Sequence, residues 1–126
     1  MPLRCLIIDD NAAFMAAAES VLNGSSFNVV GGARTVSEGL RQVRDLAPEV
    51  VLVDIDLGEE SGFELARQLP EAYGRDPPKL ILVSTHPEEE FADLIAESPA
   101  VGFIAKSELS PARLSELLNG GGLDPK

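Results

Sequence analysis

Apolar positions along this chain alternate between two periods. Short apolar runs read as strands at Leu3–Ile8, Val50–Val53, Leu80–Val83 and Val101–Ala105, and Val50–Val53, with three β-branched residues of four, reads as buried on both faces. Phe27–Ala33 is a weaker strand, diluted by Asn28, Gly31 and Gly32, and suits a sheet edge. Between the runs, apolar residues recur at helical spacing. The first helix is capped by Asn11, turns Phe14, Ala17, Ala18, Val21 and Leu22 inward, and closes at Asn23-Gly24. Thr35 to Glu38 forms a capping box for a second helix, with Val36, Leu40, Val43 and Ala47 inward and Pro48 at its end. Gly58 to Gly62 reads as loop, and Ser61 with Glu64 as the box of a third helix. That helix turns Phe63, Ala66 and Leu69 inward and is kept short or irregular by Pro70. Arg75 to Pro78 reads as a turn. Thr85 to Glu88 is a third box, with proline in the first turn, for a helix burying Phe91, Leu94 and Ile95. Its acidic run Glu88-Glu89-Glu90 suits a helix N-terminus. Ser110-Pro111 opens a fifth helix on Leu114, Leu117 and Leu118. Asn119 to Gly122 stops it, and residues 120–126 read as a flexible tail.

Five βα units with no repeat and no internal linker predict one α/β domain over residues 1–119, a doubly wound parallel sheet with five helices. The five-stranded order 2-1-3-4-5 fits, and ligands then bind beyond the carboxyl ends of the strands. The formal net charge of −11 repels phosphate backbones and argues against direct nucleic-acid binding. A single cysteine, Cys5, excludes a disulfide within the chain and reads as a small buried side chain. The apolar stretch after Met1 breaks at Asp9, so no signal peptide fits, and no run reaches the length of a membrane span. These features point to the cytoplasm and away from a membrane.

Chemistry collects at the strand ends. Asp9 and Asp10 follow the first strand, Asp54 the third, Ser84 and Thr85 the fourth, Lys106 the fifth. In a parallel sheet these groups share one edge. Three carboxylates brought together repel, and a hard divalent cation, Mg²⁺ above all, relieves them. Lys106 adds a fixed positive charge and Ser84 a donor, which together form a cradle for a phosphoryl group transferred onto a carboxylate. Each residue alone has an ordinary reading: aspartate as turn or cap, lysine as a solvated strand end, Phe103 as core. Their joint occurrence in order decides for a site.

The set Asp9-Asp10, Asp54, Ser84, Phe103 and Lys106 resembles the receiver domain of two-component response regulators, a flavodoxin-like fold, over essentially the whole chain. The resemblance implies that Asp54 accepts a phosphoryl group from the phosphohistidine of a sensor histidine kinase. It implies Mg²⁺ held directly by Asp10 and Asp54, through water by Asp9, and by the backbone carbonyl of Asp56. Ser84 would bond the phosphoryl oxygen, and Phe103 would turn inward as Ser84 moves. Output would follow as a changed protein contact, a homodimer among the forms it can take. The chain would catalyse only its own phosphorylation and dephosphorylation.

Two positions depart from the family pattern, Gly58 and Ser107, where receivers commonly carry proline. Gly58 is expected to loosen the loop beside the site, and Ser107 removes the reason for a cis bond. Lys106 to Leu109 is similar to receivers that precede LuxR-type helix-turn-helix effectors. No such effector follows, so the sequence reads as a stand-alone receiver or as one cut at its glycine tail. Asp56 and His86, each two residues past a site residue, are expected to flank the path of a hydrolytic water and to tune phosphoryl lifetime; a surface role for His86 before Pro87 is the plain alternative. Three rivals stand beside this reading. Asp54-Ile55-Asp56 is similar to the nucleophile motif of haloacid-dehalogenase-type phosphatases, but that motif sits on a first core strand. A flavodoxin-like flavin carrier would need a hydroxyl-rich first loop in place of Asp9-Asp10. A degenerate receiver, serving only as an interaction module, would ordinarily lack part of the acidic set or the lysine.

Overall fold

Strand side chains alternate between faces, and here the alternation sorts the core into two layers. The computed structural model describes residues 2–73 and 77–119. Strands β1 (Leu3–Ile8), β2 (Phe27–Ala33), β3 (Val50–Asp54), β4 (Lys79–Ser84) and β5 (Gly102–Ala105) form one parallel sheet in the order β2-β1-β3-β4-β5. This is the doubly wound order read from the sequence. Leu6, Ile8, Val51, Val53, Leu80, Leu82 and Phe103 face one layer. Cys5, Ile7, Val50, Leu52, Ile81, Val83 and Ile104 face the other. Helices α2 (Val36–Leu46) and α3 (Gly62–Tyr73) cover the first face, and α4 (Ala92–Glu97) packs there through Ile95. Helices α1 (Ala12–Leu22) and α5 (Pro111–Leu118) cover the second through Ala18, Leu22 and Leu114.

Local chemistry sets the helix starts. Asn11 Oδ1 accepts the Phe14 amide, and Ser110 Oγ accepts the Arg113 amide with Pro111 in the first turn. Thr35 Oγ1 accepts the Glu38 amide, while Glu38 Oε1 returns to the Arg34 amide, one residue upstream of the usual capping-box partner. At the sheet edge, β2 is blunted by side chains. Asn23 Oδ1 takes the Val29 amide, and Gln42 Nε2 donates to the Gly32 carbonyl.

Several expectations give way. Ala17 and Val21 are exposed, because the buried stripe of α1 narrows to Ala18 and Leu22. Ala47 is not on the inner face of α2; it is the C-cap, in a left-handed conformation (φ 48°). The third helix continues through Pro70 to Tyr73, forfeiting only the N–H that would have donated to Ala66, while Phe63, Leu65, Ala66 and Leu69 hold it to the sheet. Ser61 Oγ caps it at the Phe63 amide instead of that of Glu64. The fourth helix begins as a 3₁₀ turn, Glu88–Phe91, whose N-cap is Pro87, so Thr85 makes no cap bond there and Leu94 points to solvent, 49 % exposed. Part of the Arg75–Pro78 turn and all of the 120–126 tail lie outside the described residues. Among the described residues no helix is long and apolar enough to cross a membrane.

Candidate functional site

The strand order reverses direction between β1 and β3, and their register aligns Ile8 with Val53. One residue further on, Asp9 and Asp54 therefore stand side by side at the switch point. Both are buried, at 0 % and 5 % exposure. The Asp9 amide still donates to Ala33, so the ladder holds the carboxylate in place. Asp54 is the last residue of β3, opposite Val83, which sets Ser84 next to it at the end of β4. Ser84 in turn aligns with Ala105 of β5, and Lys106 follows. Four adjacent parallel strands thus deliver one acid, another acid, a hydroxyl and an ammonium to a common edge.

The geometry at that edge is tight. Lys106 Nζ lies 2.7 Å from Asp9 Oδ2 and 2.9 Å from Asp54 Oδ2, with its side chain 11 % exposed. One ammonium thus pairs with both buried carboxylates. Asp54 Oδ1 accepts the Asp56 amide at 3.0 Å, and Asp9 Oδ1 accepts that of Asn11 at 2.8 Å. Lys106 also sits 4.5 Å above the Phe14 ring, a cation–π contact that sequence reading missed because it joins α1 to the end of β5. Burial pushes the Asp54 carboxyl above the ordinary range; the Asp56 amide and Lys106 oppose this, and the Asp9 charge adds to it. For Lys106 burial pulls downward, but the two carboxylates outweigh it and the ammonium is held above its usual value.

Asp9, Asp10 and Asp54 each offer an oxygen within 4.8 Å of one another. Three carboxylates in an all-oxygen cluster, with one ammonium against two of them, fit a hard divalent cation such as Mg²⁺. The cluster opens onto a cleft of about 480 Å³ lined by Asp10, Asp54, Asp56, Ser84, His86 and Lys106, and also by Glu60, Ser61 and Phe91. Ser84 Oγ accepts the His86 amide at 2.9 Å, leaving its own proton to donate into the cleft. His86 is exposed and stacks on Phe91, with ring centroids 6.3 Å apart and planes 19° from parallel.

Phe103 is not in this cleft. It lines a neighbouring cavity of about 530 Å³ with Ile95, Arg113 and Leu117. Its side chain is buried, at 7 % exposure. The loop after Asp54 also differs from expectation. Asp56–Leu57 pairs antiparallel with Glu60–Ser61, so Gly58 and Glu59 form a two-residue hairpin turn. Gly58 has φ +77° and Glu59 does not share that sign, the pattern of a type II′ turn. A proline, locked at negative φ, could not sit there. Gly58 therefore tightens this loop where it was expected to loosen it. The Lys106–Ser107 bond, like all described peptide bonds, is trans.

Comparison with known proteins agrees with this geometry. The family model for the response regulator receiver domain matches residues 5–119. A protein-glutamate methylesterase/protein-glutamine glutaminase of Geobacter sulfurreducens is 32 % identical over 105 residues, which are 82 % of this chain but 28 % of that protein. The chain thus spans under a third of that relative. Chemotaxis protein CheY of Thermotoga maritima is 27 % identical over 120 residues, covering 94 % of this chain and 97 % of CheY. The response regulator domain of Thermotoga maritima CheB superposes with a TM-score of 0.80 at 22 % identity, over 99 % of this chain and 100 % of that one. With sheet order, acidic edge and family match in agreement, the chain belongs to the response regulator receiver domain family.

Proposed function

We propose that this receiver is the phosphoacceptor switch of a two-component system, with Asp54 as the acceptor and a sensor histidine kinase as the donor. The observation that supports it best is the Lys106 ammonium bridging two buried carboxylates at the switch point, beside a third. A carboxylate oxygen of Asp54 attacks the phosphorus, and the bond to the donor histidine nitrogen breaks with its electron pair leaving on that nitrogen. Asp10, Asp54 and the backbone carbonyl of Asp56 would hold Mg²⁺, with Asp9 behind them through water; the ion, when bound, neutralises charge on the transferring oxygens. Lys106, already paired with Asp54, stays beside the acyl phosphate as its fixed countercharge. The Ser84 hydroxyl donates to a phosphoryl oxygen. Asp56 and His86, both on the cleft rim, set how readily water reaches the phosphorus, and His86 is held by its stack on Phe91.

Phosphorylation draws the Ser84 loop toward the new charge and repacks Phe103 with α4, β5 and α5, a local charge event biasing a two-state element. The output is a changed protein contact, including self-association, with no direct nucleic-acid contact by this domain. The chain works in the cytoplasm and has no turnover substrate. Incubation with acetyl phosphate and Mg²⁺ should add one phosphoryl mass to the wild-type chain and none to Asp54→Asn or to chain treated with EDTA. A gain that persists in Asp54→Asn would overturn the assignment. His86 screens the phosphoryl group, so His86→Ala should shorten the phospho-aspartate lifetime; an unchanged lifetime removes His86 from the mechanism.

A further inference from the structure

One long side-chain hydrogen bond ties the ribbon that follows Asp54 to a distant helix, beside the packing of its buried Leu57 in the core. Glu60 Oε1 accepts the amide of Val36 at 2.9 Å, across 24 residues of chain. Val36 is the first residue of α2, and its amide is one that the helix cannot satisfy internally. Thr35 serves the Glu38 amide, so Glu60 supplies from a distant loop the cap that Val36 lacks. Its negative charge also suits the helix N-terminus. Among the described residues Glu60 makes no ion pair with a cation.

The other bonds of the ribbon are internal to it or to its base. The Asp56 amide donates to Asp54, the Gly58 amide to the Asp56 side chain, and the Gly62 amide to the Ile55 carbonyl. Buried Leu57 anchors the first strand of the hairpin in the core, so without the Glu60 cap the second strand would be held only by its pairing to the first and by the base. Asp56 sits on its inner strand and Glu60 on its outer strand, at the lip of the same cleft.

We infer that Glu60 is a positioning residue for the chemistry at Asp54: by capping α2 it holds the ribbon, and with it the backbone carbonyl of Asp56, in register with the acidic cluster. This rests on the phosphoacceptor reading above. No hydrogen bond or ion pair joins Glu60 to the cluster, and it acts through the placement of Asp56. Groups that orient metal ligands from behind typically change metal affinity by about 10–100-fold when removed.

The test compares Glu60→Ala, Glu60→Gln and Glu60→Asp with the wild-type chain. Mg²⁺ affinity is read by calorimetry and exchange of the Val36 amide hydrogen by NMR. Glu60→Ala should weaken Mg²⁺ binding about tenfold or more and speed Val36 exchange. Glu60→Gln keeps an acceptor oxygen at the same reach and should stay within about threefold on both readouts. Glu60→Asp keeps the charge but loses the reach and should behave like alanine; it carries the test should the alanine variant not fold. Three results would overturn the inference: Mg²⁺ affinity in Glu60→Ala equal to wild type, Val36 exchange unmoved by Glu60→Ala, or Glu60→Gln as weak as Glu60→Ala. The last would assign the effect to charge acting on the cation at a distance. Failure of the wild-type chain itself to bind Mg²⁺ would instead bring down the phosphoacceptor reading, and this inference with it.

Discussion

At the scale of the single residue, Asp54 shows what the site costs. Its carboxylate is taken out of water beside Asp9, and the Asp56 amide and Lys106 compensate only in part, so its proton is held more tightly than in the unfolded chain. A carboxyl whose folded pKa is raised makes stability fall as pH climbs from the ordinary carboxylate value through the raised one. At neutral pH the buried Asp54 carboxyl is then a net burden on the metal-free fold. Asp54→Asn is expected to be the more stable protein in EDTA at pH 7 by urea unfolding. The gap should close as pH drops toward 3.8, with a slope of at most about 1.4 kcal/mol per pH unit for one proton. Added Mg²⁺ should raise the wild-type midpoint and leave the variant behind. A variant no more stable than wild type in EDTA would show that Lys106 fully neutralises the pair.

At the scale of the element, the junction between ribbon and α3 leaves no room for a side chain. A Cβ on Gly62 would overlap the Asp54 carbonyl oxygen and lie 3.1 Å from Ile55 Cα, both backbone atoms that cannot step aside. Gly62→Ala should therefore push α3 off the end of β3 and destabilise the chain by about 1–3 kcal/mol, as overpacked cores do. It should also slow phosphorylation by acetyl phosphate, because the displaced backbone is that of the acceptor itself. Full stability in Gly62→Ala would mean that the helix shifts without strain. Much of this architecture was legible in the sequence, since strand runs and caps are written in neighbouring residues: Val50–Asp54, Asn11 and Ser110 all sit where local pattern put them. The same locality explains the misses. The Glu60–Val36 bond and the Lys106–Phe14 contact join residues far apart in the chain. Pro70 and Leu94 were misjudged because tertiary packing decides whether a helix tolerates a proline and which face it buries. Gly58 was legible as a departure, but the type II′ turn it permits depends on Glu60–Ser61 pairing back.

At the scale of the whole molecule, the sheet joins the site to the core, with the Lys106–Phe14 contact and the Glu60–Val36 bond beside it. The acidic cluster lies at one edge, while Cys5 sits on β1 in the layer under α1 and α5, with 0 % exposure. Burial pushes its thiol up to about 12, so the native side chain is both covered and protonated at pH 8 and reacts only when β1 is opened. Alkylation of Cys5 under native conditions therefore reports how often the fold opens. A ligand that binds only the folded state lowers that population by the factor 1 + [L]/Kd, about a hundredfold or ~2.7 kcal/mol at one hundred times Kd. Mg²⁺ at that level should slow Cys5 labelling by about the same factor when reclosing outpaces alkylation. In Asp10→Asn/Asp54→Asn the slowing should be lost, because the oxygens that would hold the ion are gone. Labelling indifferent to Mg²⁺ in a chain that binds it by calorimetry would mean that β1 frays locally at Cys5. The sheet would then not carry the state of its carboxyl edge to the layer under α1 and α5, and the two-layer core would not open as one unit.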